Sequence, residues 1–140
     1  MILYCNFEEL AAISAGGHRL VGEATGGDHP VIAPPQGLVD LEQLLPRLVG
    51  DIEIATLHDL RSIRRALSYL IADLGIRMDE AIVSQHPAAE DAVLAYFDYA
   101  HVRATLARID QMGAEMEAII ELATGAPADE AAARGFSFLE

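Results

Sequence analysis

The chain has no lysine, no tryptophan, a single cysteine and no long apolar run. One cysteine, Cys5, excludes an internal disulfide and suits a reducing cytoplasm. It sits in the apolar stretch ILYC, where a buried inert thiol is expected rather than a nucleophile. No segment approaches the roughly 18 uninterrupted apolar residues of a membrane span. The opening MILYCNFEEL has no basic region and carries two early glutamates, so no secretory signal is expected there. All nine basic residues are arginine, beside abundant alanine; that is a bias of GC-rich coding and carries little functional weight. Cations of either kind are scarce against 22 acidic residues, which gives a formal net charge of −13. Phosphate backbones and anionic bilayers repel such a surface, so neither nucleic acid nor membrane is expected as a partner. A basic protein or a cation is favoured instead. Also missing are GxSxG, CxxC and GxxxxGK[ST], the spacings of a nucleophile elbow, a redox pair and a phosphate loop.

What is present is a globular composition, 52% apolar and 22% charged. A single domain over 1–140 follows, in three parts. Residues 1–55 read as mixed strand and helix. ILYC and IEIAT (residues 52–56) are the strand candidates, and a short VIA strand sits in the glycine- and proline-rich loop 22–37. Asn6 offers a helix cap, with Glu8 and Glu9 in the first turn, and Gly16-Gly17 is expected to end that helix. Leucines at helical spacing mark 38–49, where Pro46 should kink or stop the helix.

Residues 56–125 read as a long helical hairpin. Thr56 and Asp59 make a capping-box-like start, and Leu60, Ile63, Leu67, Leu70 and Leu74 step by three and four. Gly75 suggests a stop or bend, and Pro87 a new start. Along the second helix, read over 88–124, Ala88, Ala92, Ala95, Tyr99, Val102, Leu106, Ile109, Gly113, Met116, Ile120 and Ala123 form one seam. A second runs through Val93, Phe97, Ala100, Ala104, Ala107, Ala114 and Ala118, interrupted by Gln111, nearly opposite the first at about 100° per residue. A helix with two apolar seams needs partners on two sides, so a homodimer is expected. The part 126–140 holds a short turn and the apolar tail FSFLE, read as a strand, a latch or an arm.

The histidine-bearing stretch QHPAAEDAVLAYFDYAH (85–101) raises the question of a site. His86 and Glu90 stand four apart, but Pro87 puts His86 before the helix. Asp98 and His101 stand three apart on one flank, shared with Glu90, Leu94, Thr105 and Arg108. Helical di-metal sites need two Glu-x-x-His copies, and there is one Asp variant here, so no metal and no cofactor are expected. Half-buried polar groups must pair. An Asp98–His101 hydrogen bond with Arg108 or Tyr69 nearby is the structural expectation. The functional one is a ligand or acid–base pocket built from Asp98, His101, Tyr69, Glu90 and Arg108, with Tyr96 at its edge. The His58-Asp59 dipeptide lacks the further ligands of a phosphohydrolase. Arg61, Arg64 and Arg65 are expected in solvated ion pairs with Asp59 and Asp73.

The expected fold is therefore α+β and predominantly helical: short N-terminal strands with one or two helices, then a long antiparallel hairpin and a short apolar tail. The expected function is a non-enzymatic acidic interaction module acting as a cytoplasmic homodimer. A small ligand-binding protein or enzyme using Asp98 and His101 is the first alternative. An acidic inhibitor of a basic partner is the second.

Overall fold

A computed structural model describes residues 1–25, 34–84 and 90–133. Two strands open the fold, β1 (Ile2–Leu3) and β2 (Ile52–Glu53), paired antiparallel with Ile2 opposite Glu53 and Leu3 opposite Ile52. The Ile54 N–H extends the pairing by donating to Met1 O at 2.7 Å. The rest is helical: α1 (Phe7–Thr25), α2 (Gln36–Leu44), α3 (Leu57–Ser84), α4 (Glu90–Thr124) and α5 (Ala128–Ala133). The protein is α+β and predominantly helical, with the long pair α3–α4 packed together. The helix start expected at Pro87, the strand expected at VIA and the FSFLE tail fall outside the described residues.

Local chemistry sets each start and stop. Glu9 N–H donates to Asn6 Oδ1 at 2.8 Å while Asn6 N–H donates back to Glu9 Oε1 at 3.2 Å, a reciprocal box that begins α1. Asp59 N–H donates to Thr56 Oγ1 at 3.0 Å at the head of α3. Pro46 has no N–H to continue α2, which closes as a 3-10 turn over Leu45–Arg47.

Two expected breaks are absent. Gly16-Gly17 does not end α1, which runs on to Thr25. Both glycines are buried where α1 is squeezed between neighbours: a Cβ on Gly16 would lie 3.1 Å from Leu70, and one on Gly17 2.6 Å from Leu45. Nor does Gly75 end α3; the Tyr99 ring lies 3.5 Å from its Cβ position, an ordinary contact distance. At Gly16 and Gly17 glycine serves close approach rather than a turn.

The core gathers around α3. Leu60, Ile63, Leu67, Leu70 and Leu74 are all buried, as are Val102, Ile109, Met116 and Ile120 of α4. Antiparallel packing follows from the contacts: Leu60 meets Gly113, Arg64 meets Asp110 and Gly75 meets Tyr99. Ion pairs fasten α3 outward. Arg65 reaches Asp40 on α2 at 2.7 Å, Arg64 reaches Asp110 on α4 at 2.6 Å, and Arg61 joins Glu117 and Asp129. These partners replace the expected Asp59 and Asp73. Asp59 takes the fork of Arg47 at 2.7 and 3.0 Å, and Asp73 takes Arg19 and Arg77 at 3.0 and 2.9 Å.

Candidate functional site on the outer face of the long helix

Three faces of α4 have different fates. The first seam is the core face, and its middle, from Val102 to Ile120, is buried by α3 and α1. The flank toward α1 is half-buried and polar. The side opposite the core carries the second seam, and it is open.

On the polar flank the structure draws together residues that the sequence left apart. The Glu9 carboxylate is buried, at 4% exposure, although it belongs to the first turn of α1. Its Oε2 accepts from Thr105 Oγ1 at 2.6 Å and from Arg108 Nη2 at 2.6 Å. Arg108 also donates to Tyr4 O at 2.9 Å. Burial opposes the charged form of Glu9, but the bonds from Thr105, Arg108 and the Asn6 N–H prevail and hold its carboxyl below the ordinary range. The adjoining Cys5 thiol is pushed up by burial and by the Glu9 carboxylate, with Asp51 adding and Arg108 opposing. A thiol held in its protonated form is a poor nucleophile.

The five residues singled out in the sequence do not converge. Asp98 and His101 are half-buried as their flank required. Their side chains are not hydrogen-bonded to each other among the described residues, and Arg108 is committed to Glu9 and Tyr4. Glu90 is exposed at the start of α4. Tyr69 sits on α3 against Gly37, where a Cβ would lie 2.7 Å from its own. It lines a wide groove of ≈ 580 Å³ with Arg61, Arg64, Arg65 and Ser68. The acids paired with those arginines neutralise the groove, which removes its pull on an anion. Among the described residues no group of three or more His, Cys, Asp or Glu could hold a metal ion; His86 lies outside them. No helix among them is long and apolar enough to cross a membrane.

The Glu9 cluster had a signal in the sequence: an Asn-x-x-Glu box, plus Thr105 and Arg108 three apart on a flank due to be half-buried. Nothing local said that the box glutamate would reach across to that flank.

The outer face is the remaining candidate. Val93, Phe97, Ala104, Ala107, Ala114 and Ala118 are exposed, and only Ala100 is half-buried. At the hairpin end Leu94 (53%), Tyr96 (57%) and Phe97 (53%) stand in solvent, with the Tyr96 and Phe97 rings edge to face at 6.0 Å. Exposed apolar side chains gathered in this way make the outer face a candidate contact surface. Beside it lies Arg103. Arg19, Arg47, Arg61, Arg64, Arg65, Arg77 and Arg108 are all in ion pairs, whereas Arg103 has none among the described residues. Comparisons with known proteins found no matching family model, no similar curated protein and no similar solved structure.

Proposed function

We propose that this chain is a non-enzymatic protein-interaction module that acts as a homodimer, joined through the outer face of α4. The observation that carries it is the second heptad seam, apolar throughout except Gln111 and uncovered by the chain's own core. A helix needs only one apolar stripe to hold its place in a monomer. Sustaining a second over 93–118 answers to something outside. One helix face about 38 Å long and about 10 Å wide is small for a specific interface, so a weak, reversible dimer is expected.

Sedimentation velocity over a concentration series tests this directly. The parent chain should shift from monomer to dimer, while Ala104→Arg should remain a monomer throughout with an unchanged helical spectrum. A parent chain that stays monomeric would remove the proposal.

The far end of α3 favours a further partner. Ile76, Ile82 and Val83 are exposed there, Val83 at 86%, and Asp79 and Glu80 stand among them. Apolar anchors rimmed by acids fit a basic amphipathic segment. The net charge of −13 supports the same class of partner, and the single free cysteine fits a reducing, cytoplasmic setting.

A further inference from the structure

Resting on the homodimer proposed above, we infer that the two copies of α4 pack antiparallel, in the register that sets Ala104 of one copy against the partner's Ala107. Three features of the outer face select that arrangement: the order of side-chain sizes, the flanking charges and the position of the one polar residue.

Size comes first. The bulky members, Val93 and Phe97, stand at one end of the seam, and Ala114 and Ala118 at the other. Antiparallel packing about Ala104 and Ala107 lays Phe97 over the partner's Ala114 and Val93 over the partner's Ala118. The two-fold axis repeats both contacts, so large meets small in each half and the helices keep one separation. Gln111, the polar interruption, then faces the small side chain of the partner's Ala100, which leaves its amide room to reach solvent. A parallel pair would set Phe97 against Phe97 and Val93 against Val93 at one end, with alanine against alanine at the other, so the helices would splay.

Charge decides the same way. In an antiparallel pair, the flank holding Tyr96, Arg103 and Asp110 meets its own copy. The selected register brings Arg103, exposed and without an ion pair among the described residues, beside the partner's Asp110, twice by symmetry. Asp110 is half exposed in its bond to Arg64 and keeps an oxygen for a second donor. Sliding the helices one heptad one way sets Arg103 against Arg103; sliding the other way brings Arg103 to the partner's Glu117 but sets Asp110 against Asp110 at the two-fold axis. Parallel packing puts Arg103 beside the partner's Arg108 and Asp110 beside the partner's Glu115, both repulsive. Of these four arrangements only the selected one sets no like charges together along that flank, which is how partner orientation is specified by charge.

Engineered disulfides in the whole chain test orientation and register, with Cys5→Ser as background. Residues 100 and 111 lie about 16 Å apart along one helix, beyond the reach of a bridge within a chain. The double variant A100C/Q111C should oxidise to a covalent dimer in which peptide mapping joins 100 to 111 between copies. A100C alone should stay unlinked, because the inferred register holds its two copies about 16 Å apart. If A100C alone cross-links 100 to 100, the helices are either parallel or antiparallel about residue 100, and the inference fails either way. If neither variant cross-links while the parent sediments as a dimer, the inference fails and the homodimer stands. A monomeric parent would overturn both. Independently, Arg103→Asp should weaken dimerisation about tenfold by turning two attractions into repulsions. An unchanged dissociation constant for that variant would count against the register.

Discussion

Glu9 is the residue with most at stake in the fold. A carboxylate at 4% exposure survives only because every lone pair it turns inward finds a donor: the Asn6 N–H, the Thr105 hydroxyl and the Arg108 guanidinium. Through it the first turn of α1 is fixed to the middle of α4, 96 positions away in sequence. Replacing Glu9 with alanine leaves Arg108 unpaired and Thr105 without its acceptor, and should cost about 3 kcal/mol. Thr105→Val removes one donor and should cost about 1–2 kcal/mol. Urea unfolding at pH 7 measures both. The pH dependence has a definite sign. The folded carboxyl titrates below its ordinary value, so its stabilisation is complete above the unfolded pKa of about 4.3 and is lost as pH falls through the folded value. The stability gap between the parent and Glu9→Gln should therefore be widest from pH 6 to 8 and should shrink below pH ~4. A gap that persists undiminished at pH 3 would mean that packing, not charge, holds Glu9 in place.

At the scale of elements, α3 is the spine, and how closely its neighbours approach it is set by glycine. Gly37 brings α2 down on the backbone of α3: a Cβ there would stand 2.7 Å from Tyr69 Cβ and 3.2 Å from Arg65 O, neither of which can swing away. Gly37→Ala should therefore destabilise by about 1–3 kcal/mol. Gly22 is also in a helix, but nothing lies within 4 Å of its Cβ position. Gly22→Ala should stabilise by about 0.5–1 kcal/mol, through helix propensity alone. Thermal unfolding of the pair gives shifts of opposite sign if close approach is what distinguishes the two sites. The same contrast explains which elements could be read in advance. The leucine steps of α3 and the Asn6 and Thr56 caps are local patterns, and they were legible. Gly16 and Gly17 were misread as the end of α1 because the contacts that make them useful come from Leu70 and Leu45, far away in sequence. The Asp98–His101 flank was read by the same local rule. Spacing put both on one flank, but what stands opposite that flank is α1, and its Glu9 took Arg108.

For the whole molecule the controlling quantity is charge. Each copy carries −13, so bringing two together must overcome mutual repulsion with the apolar contact of the outer α4 face. That repulsion acts over the Debye length, which falls from about 30 Å at 0.01 M salt to about 8 Å at 0.15 M. The inferred contacts between Arg103 and the partner's Asp110 act at short range on the surface and contribute roughly 0.2–1 kcal/mol each, so screening takes little from them. Self-association should therefore tighten several-fold as salt rises across that range, because what salt removes is mainly repulsion. A basic segment held at the acidic end of α3 obeys the opposite rule: its attraction is screened, and its affinity falls as salt rises. Sedimentation equilibrium at 0.01 and 0.15 M salt reads the first, and titration with an arginine-rich amphipathic peptide reads the second. Opposite slopes on one protein would separate the two surfaces without a mutation. A dimer that loosens with salt would mean that its contact is built on opposite charges rather than on the alanine-rich seam, which would move the interface away from the outer face of α4.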